Sequence, residues 1–332
     1  MARPTGRPSE RPCYTPAQLH QVYEHIGLPS KFRYEPGEFS REVIRHRDGF
    51  NFLTALQTYT LATVPFENLE LHYSSHHQVS IHADALFNKI IRQGNGRGGY
   101  CVENNTFLGT VLRSLGFEVM SVGARVNSQV TPGGELSGEC RFGGWSHMVN
   151  LITIRGEIYM VDVGFGSGGP THPMSLSSDG GITMNMPPNQ NVRLRRDGIP
   201  ENEHIDTKLW LLERRNADDG PWTPLYCFED QYCFLPQDFE VMNFFTSTHR
   251  TCYFTFRVLA SRYVLEEGSD RLIGDVVLYE NSVHRRVGGT KELLATLTTE
   301  QERIEALKYF LGITLSESQR EGIRGMCTEL NP

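Results

Sequence analysis

The chain has 332 residues, 32 lysines and arginines against 39 aspartates and glutamates, a formal net charge of −7 and 39% hydrophobic residues. That length allows two or three compact lobes with an adequate core. No basic block marks a nucleic-acid partner, and no run of about 18 apolar residues marks a membrane span.

Cysteines stand at 13, 101, 140, 227, 233, 252 and 327. An odd count with irregular spacing argues against a disulfide framework and for a reducing, cytoplasmic setting. Cys227 and Cys233 would pair only if a local turn brought them together. No Cys-x-x-Cys pair or His–Cys cluster marks a metal site. The proline- and arginine-rich start lacks the apolar segment of a signal peptide and reads as a mobile tail.

Taken in chain order, the first predicted element is a helix opened by Thr15 and Pro16, with Leu19, Val22, Tyr23 and Ile26 as its apolar stripe and Gly27 as its stop. A second stripe, Phe52, Leu56, Tyr59 and Thr60, runs into the break at Pro65. A third, Ala83, Leu86, Phe87, Ile90 and Ile91, ends at Gly94. Residues 1–95 therefore read as mainly helical.

Next comes Arg97-Gly98-Gly99-Tyr100-Cys101-Val102-Glu103-Asn104-Asn105. A flexible Gly-Gly precedes a stripe of Leu108, Val111, Leu112 and Leu115 that stops at Gly116, which places Cys101 in the first turn of a helix. A helix N-terminus favours a thiolate, the form that attacks carbonyl carbon. The plain alternative is a small buried hydrophobe.

From 117 onward the pattern becomes strand-like: Phe117–Val126, the hairpin 147–163, Val192–Arg195, Leu209–Glu213 and Leu225–Phe228. Together these suggest a small β-barrel, interrupted by a glycine-rich, mobile loop over 127–145. In the hairpin, Arg155-Gly156 reads as a two-residue turn. Paired positions then sum to 311, so His147 and Asp162 fall on one sheet face as diagonal neighbours. Separately, the first reads as a half-buried strand-end histidine and the second as an edge carboxylate. But an aspartate between Val161 and Val163 needs a partner if buried, and His147 is the nearest candidate.

Phe165 sits between Gly164 and Gly166, a setting that favours a pocket wall over core. The glycines 164, 166, 168 and 169 permit close backbone approach to a ligand, with a plain turn-rich loop as the alternative. No Gly-Lys-Ser/Thr follows, so ATP is not implied. Arg125 and Val126 end a strand heading for the same region. After Asp238 a short helix is expected, then strands Tyr253–Leu259 and Leu272–Leu278, and a helix through Phe310 opened by a capping box of Thr299 and Glu302.

The cysteine block resembles a signature of the arylamine N-acetyltransferases. So do Ser146-His147-Met148-Val149-Asn150-Leu151, Tyr159-Met160-Val161-Asp162-Val163-Gly164-Phe165-Gly166 and Val64-Pro65-Phe66-Glu67-Asn68-Leu69. Weaker matches lie at Asn243–His249 and Leu311-Gly312-Ile313. The blocks occur in the expected order and span most of the chain.

The resemblance implies an α+β fold: a helical domain with the nucleophile (1–116), a β-barrel domain (117–228) and an α/β lid (229–332) around a cysteine-protease-like catalytic core. It implies Cys101 as the acyl-accepting nucleophile, His147 as its base and Asp162 as the group that orients the histidine. A Cys–His pair can rest as thiolate and imidazolium at neutral pH. The implied reaction is ping-pong: acyl-CoA acylates the cysteine, CoA leaves, and an arylamine, hydrazine or arylhydroxylamine takes the acyl group in xenobiotic detoxification.

By the same resemblance Phe66, Arg125, Val126 and Phe165 face the substrates. Gly143, Gly144, Gly164, Gly166, Thr248 and Thr251, with His249, contact CoA. Ordinary core remains open for Phe66, and solvent exposure for Thr248, His249 and Thr251. Acetyl-CoA is the default co-substrate, slightly favoured; malonyl-CoA is the other donor, and its carboxylate would want Arg125 or backbone N–H groups. No tightly bound cofactor is expected. The expected partners are acyl-CoA and small aromatic amines, with neither nucleic acid nor membrane, in a monomer or weak homodimer. Two other classes fit the same residues: a cysteine hydrolase or transglutaminase-like enzyme, and an inactive binding homologue.

Overall fold

The computed structural model describes residues 11–46, 48–130, 141–177, 181–204 and 206–331. The readings for residues 1–10 and for the middle of the loop 127–145, Cys140 included, lie outside them.

The first helix, Pro16–His25, starts as its sequence dictates. The Thr15 hydroxyl accepts the Gln18 amide, and the Gln18 side chain accepts the Thr15 amide. Helix Gly49–Thr63 is buried almost all round, which is why its apolar residues exceed one stripe. The third expected helix is two pieces, an α-turn Ala83–Phe87 and a π-helical turn Asn88–Arg92. The cysteine helix spans Cys101–Leu115, with Gly116 left-handed at its end. Among the described residues no helix is long and apolar enough to cross a membrane.

Two antiparallel sheets follow. The larger has eight strands in the order Met174–Ser175, Glu157–Val161, Phe142–Ile154, Glu118–Asn127, Thr223–Phe228, Leu209–Arg215, Gln190–Asp197 and Thr183–Met186. Among the described residues its two end strands do not pair with each other, so the expected barrel is a curled half-barrel sheet. Val122, Val149, Leu151, Leu212, Leu225 and Phe228 fill one of its cores. The helical core, built on Phe52, Leu56, Phe107 and Leu112, also takes Ile152 and Val161 from the sheet.

The hairpin turns at Arg155-Gly156, both at positive φ (55° and 86°), the geometry of a tight primed turn. Asn150 faces Val161 and Ile154 faces Glu157, the register the sum of 311 requires.

The smaller sheet has the order Phe66–Glu67, Leu259–Leu265, Leu272–Tyr279, Ser282–Val287 and Thr290–Thr296. Its first strand lies within the region read as helical. The expected strand Tyr253–Leu259 is instead a 3₁₀ turn, Tyr253–Thr255, and a bend; the strand begins at Leu259. The cause is the buried Asn68 amide. It donates to the Phe254 and Arg257 carbonyls at 2.8 and 2.7 Å and accepts the Leu259 amide at 2.9 Å, replacing ladder partners. Helix Glu300–Leu311 opens on the Thr299–Glu302 capping box and packs Leu307 and Leu311 into the core of this sheet.

Candidate active site

Three elements converge on one buried polar cluster. Cys101 is the first residue of its helix, His147 lies on strand Phe142–Ile154, and Asp162 follows strand Glu157–Val161. All three are buried.

Asp162 is the most heavily bonded group. Its Oδ2 accepts from His147 Nε2 at 2.8 Å and from the Tyr226 hydroxyl at 2.9 Å. Its Oδ1 accepts from Asn105 Nδ2 and the Gly164 amide, each at 2.8 Å. Burial pushes this carboxyl up, but the neighbouring imidazole and the donated hydrogen bonds outweigh it and hold it below the ordinary range. It is therefore an anion near neutrality. With Nε2 committed to Asp162, Nδ1 is the imidazole nitrogen left for the sulfur.

The Cys101 thiol donates to the Ser146 carbonyl at 3.5 Å. Burial, and then the negative charge of Asp162, push it above its usual range. Desolvation of the buried sulfur outweighs the helix N-terminus.

Asn105 ties the elements together. One turn along the helix from Cys101, its side chain donates to Asp162 and to the Met148 carbonyl (2.6 Å) and accepts the Val163 amide (3.0 Å). Sequence reading missed both Asn105 and Tyr226. The i, i+4 spacing from Cys101 was the available signal for the asparagine. Tyr226, a phenol in an otherwise apolar strand, carried only the general need of a buried hydroxyl for a partner. Gly164 is required by packing: a Cβ there would lie 2.6–2.7 Å from Asn105 Nδ2 and the Cys101 backbone.

The cluster opens on a cavity of about 740 Å³. Phe66, Val126, Gly143, Gly144, Gly164, Phe165 and Thr251 line it beside Cys101 and His147. Phe165 packs edge-on against the His147 ring, centroids 5.4 Å apart.

Four expected site residues do not line it. Arg125 lays its guanidinium over Trp145, 4.0 Å from the ring centroid, and donates to the Gly143 carbonyl at 2.9 Å, because cation–π stacking and that carbonyl satisfy it at the edge. Gly166, left-handed and buried, packs against Phe66, whose ring lies 2.8 Å from where a Cβ would stand, and its carbonyl accepts from Tyr263. The Thr248 hydroxyl bonds the Phe244 carbonyl of its own helix. His249 is exposed, bonded to Thr251.

A family model described as N-acetyltransferase matches residues 50–320. The chain is 36% identical over 323 residues to an N-malonyltransferase, FDB2, of Fusarium pseudograminearum, covering 94% of this chain and 93% of the relative. It is 28% identical to arylamine N-acetyltransferase 2 of Mus musculus, covering 79% and 87%. The solved arylamine N-acetyltransferase of M. smegmatis superposes with a TM-score of 0.69 at 25% identity, covering 94% and 96%. A match over most of the chain, in sequence and in fold, assigns this acyltransferase to the arylamine N-acetyltransferase family.

Proposed function

We propose that the chain transfers an acyl group from acyl-CoA to an arylamine or hydrazine by a ping-pong route through a thioester on Cys101. The observation that carries this is the convergence of Cys101, His147 and a four-fold bonded Asp162 on one cavity.

In the first half-reaction the thiol proton passes to His147 Nδ1 as sulfur attacks the thioester carbonyl carbon. The carbon–sulfur bond to CoA breaks, and the CoA sulfur takes the proton from the imidazolium. In the second, the amine nitrogen attacks the Cys101 thioester, His147 takes a proton from nitrogen, and the Cys101 sulfur leaves. Asp162 stabilises the transient imidazolium and holds its tautomer. His147 is the group that takes the sulfur's proton in this route.

Malonyl-CoA is the donor we favour, a change from the acetyl-CoA preference read in the sequence. The relatives at 34–36% identity are N-malonyltransferases, whereas the mouse arylamine N-acetyltransferase given above and its rabbit counterpart stand at 28% and 26%. A malonyl carboxylate entering the cavity costs several kcal/mol unless paired. Hydroxyls of the wall, the Gly143-Gly144 backbone and Arg125 at the rim are the groups within the site region that can pair it.

Initial rates with one aniline acceptor, varied against malonyl-CoA and acetyl-CoA, test this. Parallel double-reciprocal lines with malonyl-CoA, and a higher kcat/KM for it, are expected. Intersecting lines would remove the acyl-enzyme route, and a higher kcat/KM for acetyl-CoA would remove the donor choice. In Arg125→Ala, a malonyl rate that falls far more than the acetyl rate would assign Arg125 to the acyl carboxylate. Equal losses would assign it to support of the rim.

A further inference from the structure

Beneath the cysteine turn lies a second cluster of charges that the chemistry above does not use. Arg97, Glu67, Glu70, Lys89 and Glu103 come from four segments and meet under the Gly98-Gly99 loop. Arg97 is 1% exposed and bonds Glu67 Oε1 through Nε at 2.9 Å and Glu70 Oε2 through Nη2 at 3.1 Å. The Lys89 side chain, 12% exposed, donates to Glu103 Oε1 at 2.8 Å and lies 3.7 and 3.8 Å from Glu67 and Glu70.

Glu103 is the link to the reaction centre. Its Oε2 accepts the Tyr100 amide at 3.0 Å, closing the helix N-terminus one residue before Cys101. The loop is pressed onto this carboxylate: a Cβ at Gly99 would overlap the Glu103 carboxylate, and one at Gly98 would overlap the Pro65 carbonyl. The Gly-Gly pair thus serves close packing, where the sequence suggested flexibility. Lys89 comes from the π-helical turn Asn88–Arg92, an irregularity common at functional positions.

We propose that Lys89 and Glu103 form a positioning clamp for the nucleophile, in which the ammonium holds the carboxylate against the Tyr100 amide and so fixes the Cys101 sulfur relative to His147. The clamp rests on Cys101 being the acylated residue.

The clamp also titrates. Burial pushes the Glu103 carboxyl up to about 7, opposed by Lys89 and aided by Glu67. Around it stand Lys89, Glu67, Glu70, Arg97 and Tyr100; around the Cys101 sulfur stand His147, Asp162, Glu103, Cys252 and Tyr253. As pH falls through about 7, Glu103 gains a proton and its bonds to Lys89 and Tyr100 lose their charge-assisted strength. Removing the Lys89 charge favours the protonated form further, so the same loss begins at higher pH.

The test is single-turnover acylation by malonyl-CoA from pH 5.5 to 8.5 or so, read as maximal rate and half-saturation separately, for wild type, Lys89→Met, Lys89→Arg and Glu103→Gln, each with circular dichroism and a melting curve. We expect Lys89→Met to lower the maximal rate about ten- to hundredfold, the scale of a misplaced attacking group. Half-saturation should stay within about twofold, and the acid limb should move to higher pH. Lys89→Arg should restore most of the rate and the wild-type limb, and Glu103→Gln should lack the part of the limb that moved.

An unchanged rate and pH profile in folded Lys89→Met overturns the clamp. So does a loss seen only in half-saturation, or one that follows melting temperature equally in Lys89→Met and Lys89→Arg. Peptide mapping of the acylated wild type separates the two questions: an acyl group away from Cys101 refutes the nucleophile, while one on Cys101 leaves the clamp to stand or fall on the variants.

Discussion

Asp162 decides how the candidate triad behaves, because its charge is buried and wholly satisfied. Four donors from four different segments hold it, so losing one leaves an anion still bonded three times. Tyr226→Phe is the mildest such change. It keeps the ring packed against His147 and Phe165, whose centroids lie 4.8 and 5.1 Å away. One charge-assisted hydrogen bond is worth about 1.5–3 kcal/mol, part of which the remaining donors recover. Its loss leaves Asp162 a slightly stronger base, and the imidazolium formed during attack is held with less geometric restraint. We expect a roughly three- to thirtyfold lower acylation rate with little change in half-saturation for the acyl donor. Stopped-flow release of CoA measures this. A wild-type rate would show that the Tyr226 hydroxyl serves packing alone.

At the scale of elements, the site was legible where local rules set it. Cys101 opens its helix because an extended Tyr100 precedes it and Gly116 closes it. The His147–Asp162 contact followed from turn length and strand parity, and the pairing of Asn150 with Val161 is that register. Gly156 pins it, with φ of 86° in open surroundings. Gly156→Val should cost about 1–2 kcal/mol through the left-handed backbone alone, read as a lowered denaturant midpoint. The acylation rate of the folded variant should stay close to wild type, because Asn105 and Gly164 hold Asp162 independently of the turn. A large rate loss without loss of stability would mean that the turn itself sets the triad.

What stayed illegible depends on partners far apart in the chain. Strand Phe66–Glu67 is two residues long and exists because Ser261 and Ala260 pair with it. The segment 253–258 has strand-like composition, yet the Asn68 amide draws it into a bend. The burial that raises the Cys101 thiol is tertiary in the same way, whereas its helix position is local.

For the whole molecule, the cavity forms where the two sheets meet the cysteine helix. Val126, Gly143 and His147 come from the larger sheet, and Phe66, Leu259, Ser261 and Val277 from the smaller. Charge plays little part in shaping the cavity wall; no lysine or arginine lines it among the described residues. A donor carboxylate would be read by hydroxyls, backbone amides and the rim. The family assignment and the geometry thus meet at one atom, the Cys101 sulfur. Incubating the protein with malonyl-CoA alone, then mapping peptides by mass spectrometry before and after adding an aniline, tests that meeting point most directly. One malonyl group should sit on the peptide carrying Cys101, be absent in Cys101→Ser, and leave as the anilide when the amine arrives. A malonyl group on another residue, or anilide formation at an undiminished rate in Cys101→Ser, would contradict it.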